Sequence, residues 1–322
     1  MAFITGTGTK MLWLKESAFG TTPSTKTSAS LINLTSEGLS VSVEKGDEGN
    51  LLASKTATNR DLMSISVSGS VSSILRPEFA DILLETALGK KATVTDSTIP
   101  SGYTQTKYTL GDPGSALPSF TAFLNRGTGY KIYSGLTANS TSIECAANDY
   151  VKISSDLMGY KESKLTGTAD ATTFDGKSFS KPSYRCTQAE MKVAGSTYDV
   201  ETCTIAISNA LVEAPKTYSS GLYAGQPQPA TREVTASFTI PYSASVDTFK
   251  DSYLTSESNA SIVLKFTTSD ENEFIEITLP NVAITSVTNN VGGTGLVEAS
   301  CEGIALSVGT DEPITVIVQS KN

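Results

Sequence analysis

The chain carries the same order of predicted elements twice, and this repetition constrains its fold more than any single motif. A strand pattern near Leu31–Val43 returns near Thr202–Val212, and the alternating strand Met63–Val71 returns at Val234–Ile240. In both places a short amphipathic segment and two further strands follow. Repetition of one supersecondary unit is typical of a part that packs against copies of itself.

The repetition predicts four parts along the chain. Tyr130 matches Phe274, 144 residues later, whereas the earlier elements match at about 170 residues, so the first repeat carries an insertion. The predicted parts are an N-terminal arm and linker over 1–30, a first repeat over 31–165 with the insertion at about 90–118, a connecting hairpin over 166–185, and a second repeat with a C-terminal strand over 186–322.

Composition favours a mainly β fold. Ser and Thr occur 43 times each among the 322 residues. Hydroxyl side chains compete with the helical backbone for hydrogen bonds, whereas β-branched Thr fits a pleated surface. Met63–Val71 alternates apolar residues with serines, which predicts one buried and one wet face. We therefore expect two tandem, similar β-barrel or β-sandwich domains, each with one short α-helix.

Local patterns place the helices and turns. Pro77–Leu88 and Ser245–Leu254 have one apolar side each, and Pro77 suits the first position of a helix. The Asp-Gly pair within Phe174–Lys177 predicts a hairpin turn. Ile314–Val318 is rich in β-branched residues and predicts a strand at the edge of a sheet.

Charge and residue types exclude several functional classes. The net charge is −9, and no basic cluster offers a grip on nucleic acid. The absence of histidine excludes Ser-His-Asp triads and histidine metal sites. The four cysteines form no CxxC pair, and Cys203, which alternates with Ile205 and Ile207, is expected in the core. We predict no catalytic, cofactor-binding or metal-binding residues and no enzymatic activity.

Several segments, in order, resemble the tail tube proteins, or major tail proteins, of long-tailed bacteriophages. The segments that carry the resemblance are Trp13 with Glu16–Pro23, Thr35–Leu39, Asn59–Asp61, Val67–Val71, the helix ending in Leu88-Gly89, and Leu117–Thr121. The similarity covers nearly the whole chain, and the order of the motifs is more specific than any one of them. The second repeat departs from this pattern because it has no counterpart of Trp13, and Arg232 is the nearest match to Arg60.

The resemblance implies a structural protein of the virion tail that assembles in the host bacterial cytoplasm. Subunits of this family form rings whose inner sheets join into a continuous β-barrel, and stacked rings make a hollow tube. Viral DNA passes through that tube into the host without specific binding. Because single-domain subunits form hexameric rings, two repeats favour a trimeric, pseudo-hexameric ring, with a hexameric ring as the alternative. The implied partners are further copies of the chain and the tape-measure, tail-terminator and baseplate or tip proteins.

Two long loops are candidates for contacts between subunits. The loops at 44–60 and 213–230 occupy matching places in the repeats and are expected to reach an adjacent subunit or ring. Trp13, the only tryptophan, is either ordinary core or an anchor on a neighbour. The predicted subunit or ring contacts are Trp13, Phe19, Lys45, Asp47, Glu48, Arg60, Tyr218, Tyr223 and Arg232. The lumen-facing residues stay open, since a slip of one residue exchanges the two faces of a strand.

Other functions fit the same composition. A β-sandwich adhesin or receptor-binding module would expose aromatic pockets, but aromatic residues make up only 7% of the chain. A tail-terminator or capsid-decoration protein is a closer alternative, and self-assembly distinguishes it, since a terminator stops at one ring. No apolar run is long enough to predict a membrane segment.

Overall fold

A computed structural model gives the fold and describes residues 5–47, 60–256, 258–290 and 296–321. The protein is mainly β, with large antiparallel sheets, which confirms the predicted fold class. The elements of the first half are β1 (Lys10–Lys15), β2 (Ser30–Leu31), β3 (Leu34–Glu37), β4 (Ser40–Asp47), β5 (Arg60–Ile74), α1 (Pro77–Leu88), β6 (Gly89–Val94), β7 (Tyr103–Leu110), β8 (Phe120–Asn125), β9 (Tyr130–Ala146), β10 (Lys152–Gly159), β11 (Lys161–Lys164) and α2 (Thr168–Asp175).

The second half adds ten strands and one helix to the described part of the chain. They are β12 (Ala189–Val193), β13 (Ser196–Thr197), β14 (Thr202–Ser208), β15 (Leu211–Val212), β16 (Gln228–Pro229), β17 (Glu233–Pro241), α3 (Ala244–Tyr253), β18 (Ala260–Thr267), β19 (Phe274–Asn290), β20 (Glu298–Ala305) and β21 (Thr315–Lys321). No helix in the described ranges has the length and apolar character needed to cross a bilayer.

The first half is organised around two long strands, β5 and β9. β5 pairs with β3 and β4 on one side and with β10 on the other. β10 in turn pairs with the C-terminal part of β9. The N-terminal part of β9 pairs instead with β8 and β11, and β8 continues to β1 and β2. β9 therefore belongs to two sheets.

The second half shows the same order of pairings. β17 lies between β14 and β20, and β20 pairs with the C-terminal part of β19. The N-terminal part of β19 pairs with β18 and β21, and β18 continues to β12 and β13. Like β9, β19 spans 17 residues. In this order β14 takes the place of β3 and β4, β20 that of β10, and β19 that of β9.

Two strand pairings join the halves. β9 pairs with β14, so eight strand positions form one continuous sheet in the order β3–β4, β5, β10, β9, β14, β17, β20 and β19, which we call the long sheet. The insertion forms the hairpin β6–β7, and β7 pairs with β21. The prediction of an edge strand at Ile314–Val318 is therefore wrong, because the insertion covers that edge and β21 lies between β19 and β7.

One face of the long sheet is buried in an apolar core. Val67 of β5 and Ile205 of β14 belong to one buried cluster with Phe120 of β8 and Leu264 of β18. The cluster also includes Phe79 of α1, whereas α3 adds Val246 and Phe249. Both predicted helices are confirmed. Gly89 ends α1 with a φ of 95°, a left-handed conformation that a side chain would strain.

Three local predictions differ from the structure. The expected hairpin at Phe174–Lys177 is helix α2 followed by an irregular segment, because Phe174 is buried against the rings of Phe123 and Tyr130. Met63 is 53% exposed, because a bulge between β4 and β5 takes it out of the alternation. The segment predicted as a separate N-terminal arm contributes β1, which pairs with β8 along its whole length.

Candidate subunit interface

The contact between β9 and β14 shows how two halves of this kind join. Seven residue pairs run from Thr202 opposite Ala146 to Ser208 opposite Ser140. On the buried face Ile205 lies opposite Ile143, and both are at most 1% exposed. Apolar contact and main-chain hydrogen bonds therefore hold this junction together.

A buried side-chain amide stabilises the end of the β9–β14 junction. The Asn209 side chain is fully buried, and its Nδ2 donates to the carbonyl oxygens of Ala138 at 2.9 Å and Ala87 at 3.0 Å. The Asn209 backbone N–H donates to the Asn139 carbonyl at 2.8 Å. These bonds tie the strand after β14 to β9 and to the end of α1.

The long sheet ends in two edges that have no strand partner among the described residues. One edge is the C-terminal part of β19, where pairing is to β20 alone over Ser286–Asn290. The Leu306 N–H donates to the Asn281 carbonyl at 2.7 Å. Because bonding direction alternates along an antiparallel ladder, the backbone groups of Val287 and Asn289 point away from β20. The buried Oδ1 of Asn289 has no hydrogen-bond partner in the described part of the chain.

The other edge is formed by β3 and the start of β4. The Ile74 N–H donates to the Asn33 carbonyl at 3.0 Å, and the Gly38 N–H donates to the Ser70 carbonyl at 2.8 Å. By the same alternation, Leu34 and Glu37 direct their backbone groups away from β5. β3 therefore offers a short, accessible ladder.

An ion pair lies beside this edge. The Arg126 guanidinium donates two hydrogen bonds of 2.6 Å to the Glu37 carboxylate and one of 2.7 Å to the Leu39 carbonyl. The hydrogen bonds to Glu37 raise the pKa of Arg126. Arg126 therefore lies beside this edge and occupies one lone pair of the Leu39 carbonyl.

A family comparison assigns this architecture. The family model described as "Phage tail tube protein" matches residues 6–305, which is nearly the whole chain. The chain belongs to the phage tail tube protein family. No curated protein matches the chain. The family is one of structural tail proteins, and its members form stacked oligomers in the virion tail.

The structure places two of the predicted contact residues of this tail tube protein together. Both contact the ring of Tyr160. Phe19 packs edge-on against this ring with centroids 5.5 Å apart, and Tyr223 packs against it with centroids 5.1 Å apart. Trp13 lies in the core of its own chain, 1% exposed and 4.6 Å from the ring of Phe120. Of the two interpretations of Trp13, the structure matches ordinary core.

The other predicted contacts are spread over three places. Lys45 and Arg60 are exposed on the β4–β5 hairpin, whose strand β4 ends at Asp47. Tyr218 is fully exposed. Arg232 is half-buried, donates to the Leu88 carbonyl at 3.0 Å, and has a pKa lowered by burial. The remaining predicted contact, Glu48, lies outside the described residues.

A buried carboxylate that the sequence analysis did not single out fixes the N-terminal segment of the tail tube protein. Glu16 is 6% exposed and accepts hydrogen bonds from Ser119 Oγ at 2.7 Å and Thr121 Oγ1 at 2.6 Å. The backbone N–H groups of Gly20 and Gly135 donate to the same carboxylate at 2.9 and 2.8 Å. Four donors around one acidic group hold the turn that carries Phe19 against β9.

The cysteines of this tail tube protein are structural in character. All four are free thiols. Burial raises the pKa of Cys203 to about 12 and that of Cys301 to about 11, so both stay protonated at neutral pH. A hydrogen bond between Cys145 and Cys186 raises the pKa of Cys145 and lowers that of Cys186. In the described ranges no cluster of three acidic or cysteine side chains could hold a metal ion.

Proposed function

We propose that copies of this chain join edge to edge into a ring, and that the rings stack into the hollow tail tube through which viral DNA leaves the virion. The two halves act as two copies of one tube unit. A three-fold ring then has six similar units, and we favour this trimeric arrangement over a hexameric one. Assembly takes place in the host cytoplasm with the tape-measure, tail-terminator and baseplate or tip proteins.

The β9–β14 junction within the chain is the observation that carries this proposal. Its two sides correspond to the two free edges of the long sheet, because β19 takes the place of β9 and β3–β4 that of β14. The β19 edge of one copy therefore fits the β3 edge of the next. An exposed ladder of this kind promotes pairing with another chain unless it is covered, and ring closure covers every copy of it.

The internal junction also gives the register of the external one. β10 ends at Gly159 and β20 at Ala305, and their ladders to β9 and β19 carry bulges at Asp156 and Glu302, so Ile143 matches Asn289. β5 ends at Ile74 and β17 at Pro241, so Leu39 of the first half matches Ile205, which lies opposite Ile143. The proposed contact is antiparallel and sets Leu39 of one copy opposite Asn289 of the next, and Ser40 opposite Thr288.

The face of the long sheet opposite the core suits the lumen of the tube. Paired serines cross it, with Ser72 Oγ 2.9 Å from Ser154 Oγ. Lys152 on this face pairs with Asp149 at 2.6 Å. The exposed carboxylates on this face of the central strands are Glu144, Asp156, Glu233, Glu298 and Glu302. Hydroxyls and carboxylates offer phosphates no cationic grip, so DNA slides past without adhering.

A disulfide test follows from the register. Residues directly opposite in an antiparallel pair have Cβ atoms about 4.5–5.5 Å apart, close enough for a disulfide after a small shift. We expect the Ser40→Cys, Thr288→Cys double variant to give covalent oligomers on oxidation, and negative-stain microscopy to show tubes. The Ser40→Cys, Ser300→Cys variant is the matched control, because Ser300 lies one strand further from the edge. A protein that stays monomeric at high concentration, or stops at single rings, would contradict the proposal.

A further inference from the structure

The loop that connects β14 to β17 folds back onto the first half of its own chain. We call residues 209–230 the second arm. The Ile65 N–H donates to the carbonyl of Leu222 at 2.8 Å, and the amide of Gln226 donates to the Leu117 carbonyl at 2.9 Å. The ring of Tyr223 packs against Tyr160, directly after the end of β10. The second arm thus covers the first half beside the end of β10.

The matching place in the second half is an open cleft. It has a volume of about 590 Å³ and is lined by 110–114, 229–230, 232–234, 304–307, Glu312 and Pro313. Since β20 ends at Ala305 as β10 ends at Gly159, Leu306 matches Tyr160. Leu306 and Val308, which are 38% and 46% exposed, stand at this end of β20. In the first half the second arm covers the corresponding position.

By its place in the chain, the segment between β4 and β5 corresponds to the second arm, and its residues 48–59 lie outside the described ranges. The described part of this β4–β5 hairpin, 43–47 and 60–63, leaves apolar side chains exposed. Val43, Leu62 and Met63 are 46%, 40% and 53% exposed. Apolar side chains that are exposed together, as on this hairpin, form a candidate contact site for another protein surface.

Charge complements shape at the two surfaces. The hairpin carries the exposed cations Lys45 and Arg60. The cleft is bordered by the carboxylates of Asp112, Glu233 and Glu312. Lys90 lies 3.4 Å from Asp112, and Arg232, which also lines the cleft, donates to the Leu88 carbonyl. Opposite charges at the rim of an interface steer the encounter and fix its register.

We propose that the cleft at 110–114, 229–234 and 304–313 binds the β4–β5 hairpin of a second copy of this chain. This contact between two copies repeats the packing of the second arm on the first half within one chain. It rests on the proposed ring, because the β3 edge that carries the hairpin is then the edge that joins β19 of the neighbour. Most of the cleft lining and the β19 edge belong to the second half, and 110–114 of the insertion complete the cleft, so one neighbour reaches both.

Site-directed cross-linking tests the contact between hairpin and cleft separately from tube assembly. In the Met63→Cys, Leu306→Cys variant we expect oxidation of assembled tubes to give a ladder of covalent oligomers. The control Met63→Cys, Tyr242→Cys places the second thiol at the opposite end of β17 and is expected to give none. Tubes without a ladder, or ladders in both variants, overturn the cleft assignment and leave the proposed function standing. Absence of any tube overturns both.

A charge exchange tests the same contact without thiols. Arg60→Glu and Glu312→Arg are each expected to raise the concentration needed for assembly roughly tenfold, since each sets like charges together. The double variant restores the opposite pair and is expected to recover assembly. Each monomer keeps its thermal unfolding temperature, because both side chains lie on the surface. Single variants that assemble normally, or a double variant that assembles no better than either single variant, contradict binding of the hairpin in the cleft.

Discussion

Proline substitution at two neighbouring positions of β19 separates assembly from folding. The Asn289 N–H points to the free edge, whereas the Thr288 N–H points to β20, where Ser300 lies opposite. Proline removes one backbone donor and is tolerated at an edge where that donor faces solvent. Asn289→Pro therefore leaves the ladder to β20 intact, and the Asn289 Oδ1 that it removes has no partner among the described residues.

The size of the effect follows from the number of junctions. One main-chain hydrogen bond contributes about 1 kcal/mol net. A three-fold ring has three identical junctions, so Asn289→Pro lowers ring stability by about 3 kcal/mol, which is roughly 150-fold in the association constant. Thr288→Pro instead removes a bond within the subunit and leaves the Ser300 carbonyl unpaired, which costs about 1–3 kcal/mol of folding free energy.

Light scattering, microscopy and thermal unfolding distinguish the two variants. We expect Asn289→Pro to be a folded monomer with an almost unchanged unfolding temperature and few or no tubes. Thr288→Pro is expected to unfold several degrees lower. Tubes of normal yield and length from Asn289→Pro would refute the assignment of the β19 edge to the subunit junction. Equal unfolding temperatures in the two variants would refute the bonding directions along β19.

Three further perturbations test other parts of the molecule. Glu16→Ala leaves four donors without their acceptor and should lower the free energy of unfolding by about 3 kcal/mol or more, measured by chemical denaturation. Glu16→Gln should have an intermediate stability, and equal stability of both variants would contradict the role of Glu16. The Tyr103 hydroxyl lowers the pKa of Asp270 from its ordinary 3.8, so the bond stabilises the fold above that value and is lost as the pH falls through the lowered one. Tyr103→Phe should raise the Asp270 pKa in an NMR titration, and an unchanged curve would contradict the hydrogen bond. Asp156→Lys with Glu302→Lys should slow DNA ejection from virions without affecting tube assembly, and an unchanged ejection rate would contradict the lumen assignment.

The sequence predicts the secondary-structure elements of this protein better than it predicts which strands pair with each other. The helix Pro77–Leu88 follows from Pro77, Gly89 and the apolar spacing, all of which act locally. The order of strands depends on contacts between distant residues, so β21 was placed at an edge although β7, more than 200 residues earlier, covers it. The turn at Asp175-Gly176 failed for a similar reason, because burial of Phe174 outweighs the local preference for a hairpin.

The candidate interface shows the same division between local and distant information. Lys45, Arg60 and Tyr218 lie in the polar segments that the sequence predicts as loops, and the structure keeps their side chains exposed. The free edges at β3 and β19 cannot be recognised from the sequence, since an edge strand and a central strand can share one alternation pattern. Glu16 escaped attention because a single acidic residue in a polar stretch is usually solvated. Only the strands that surround it, β8 and β9, show that its carboxylate is buried.

The internal junction changes the energetics of the ring that we propose. Every association between separate chains costs translational and rotational freedom, with figures of about 4–15 kcal/mol. A ring of six single units forms six such contacts between molecules, whereas three duplicated chains form three, because β9 and β14 are already joined in each chain. The linked halves also hold their edges in fixed relative positions, so the second junction of each subunit forms at high effective concentration. Separating the halves by cleavage between β11 and β12 should therefore raise the concentration needed for assembly even if every strand contact is retained.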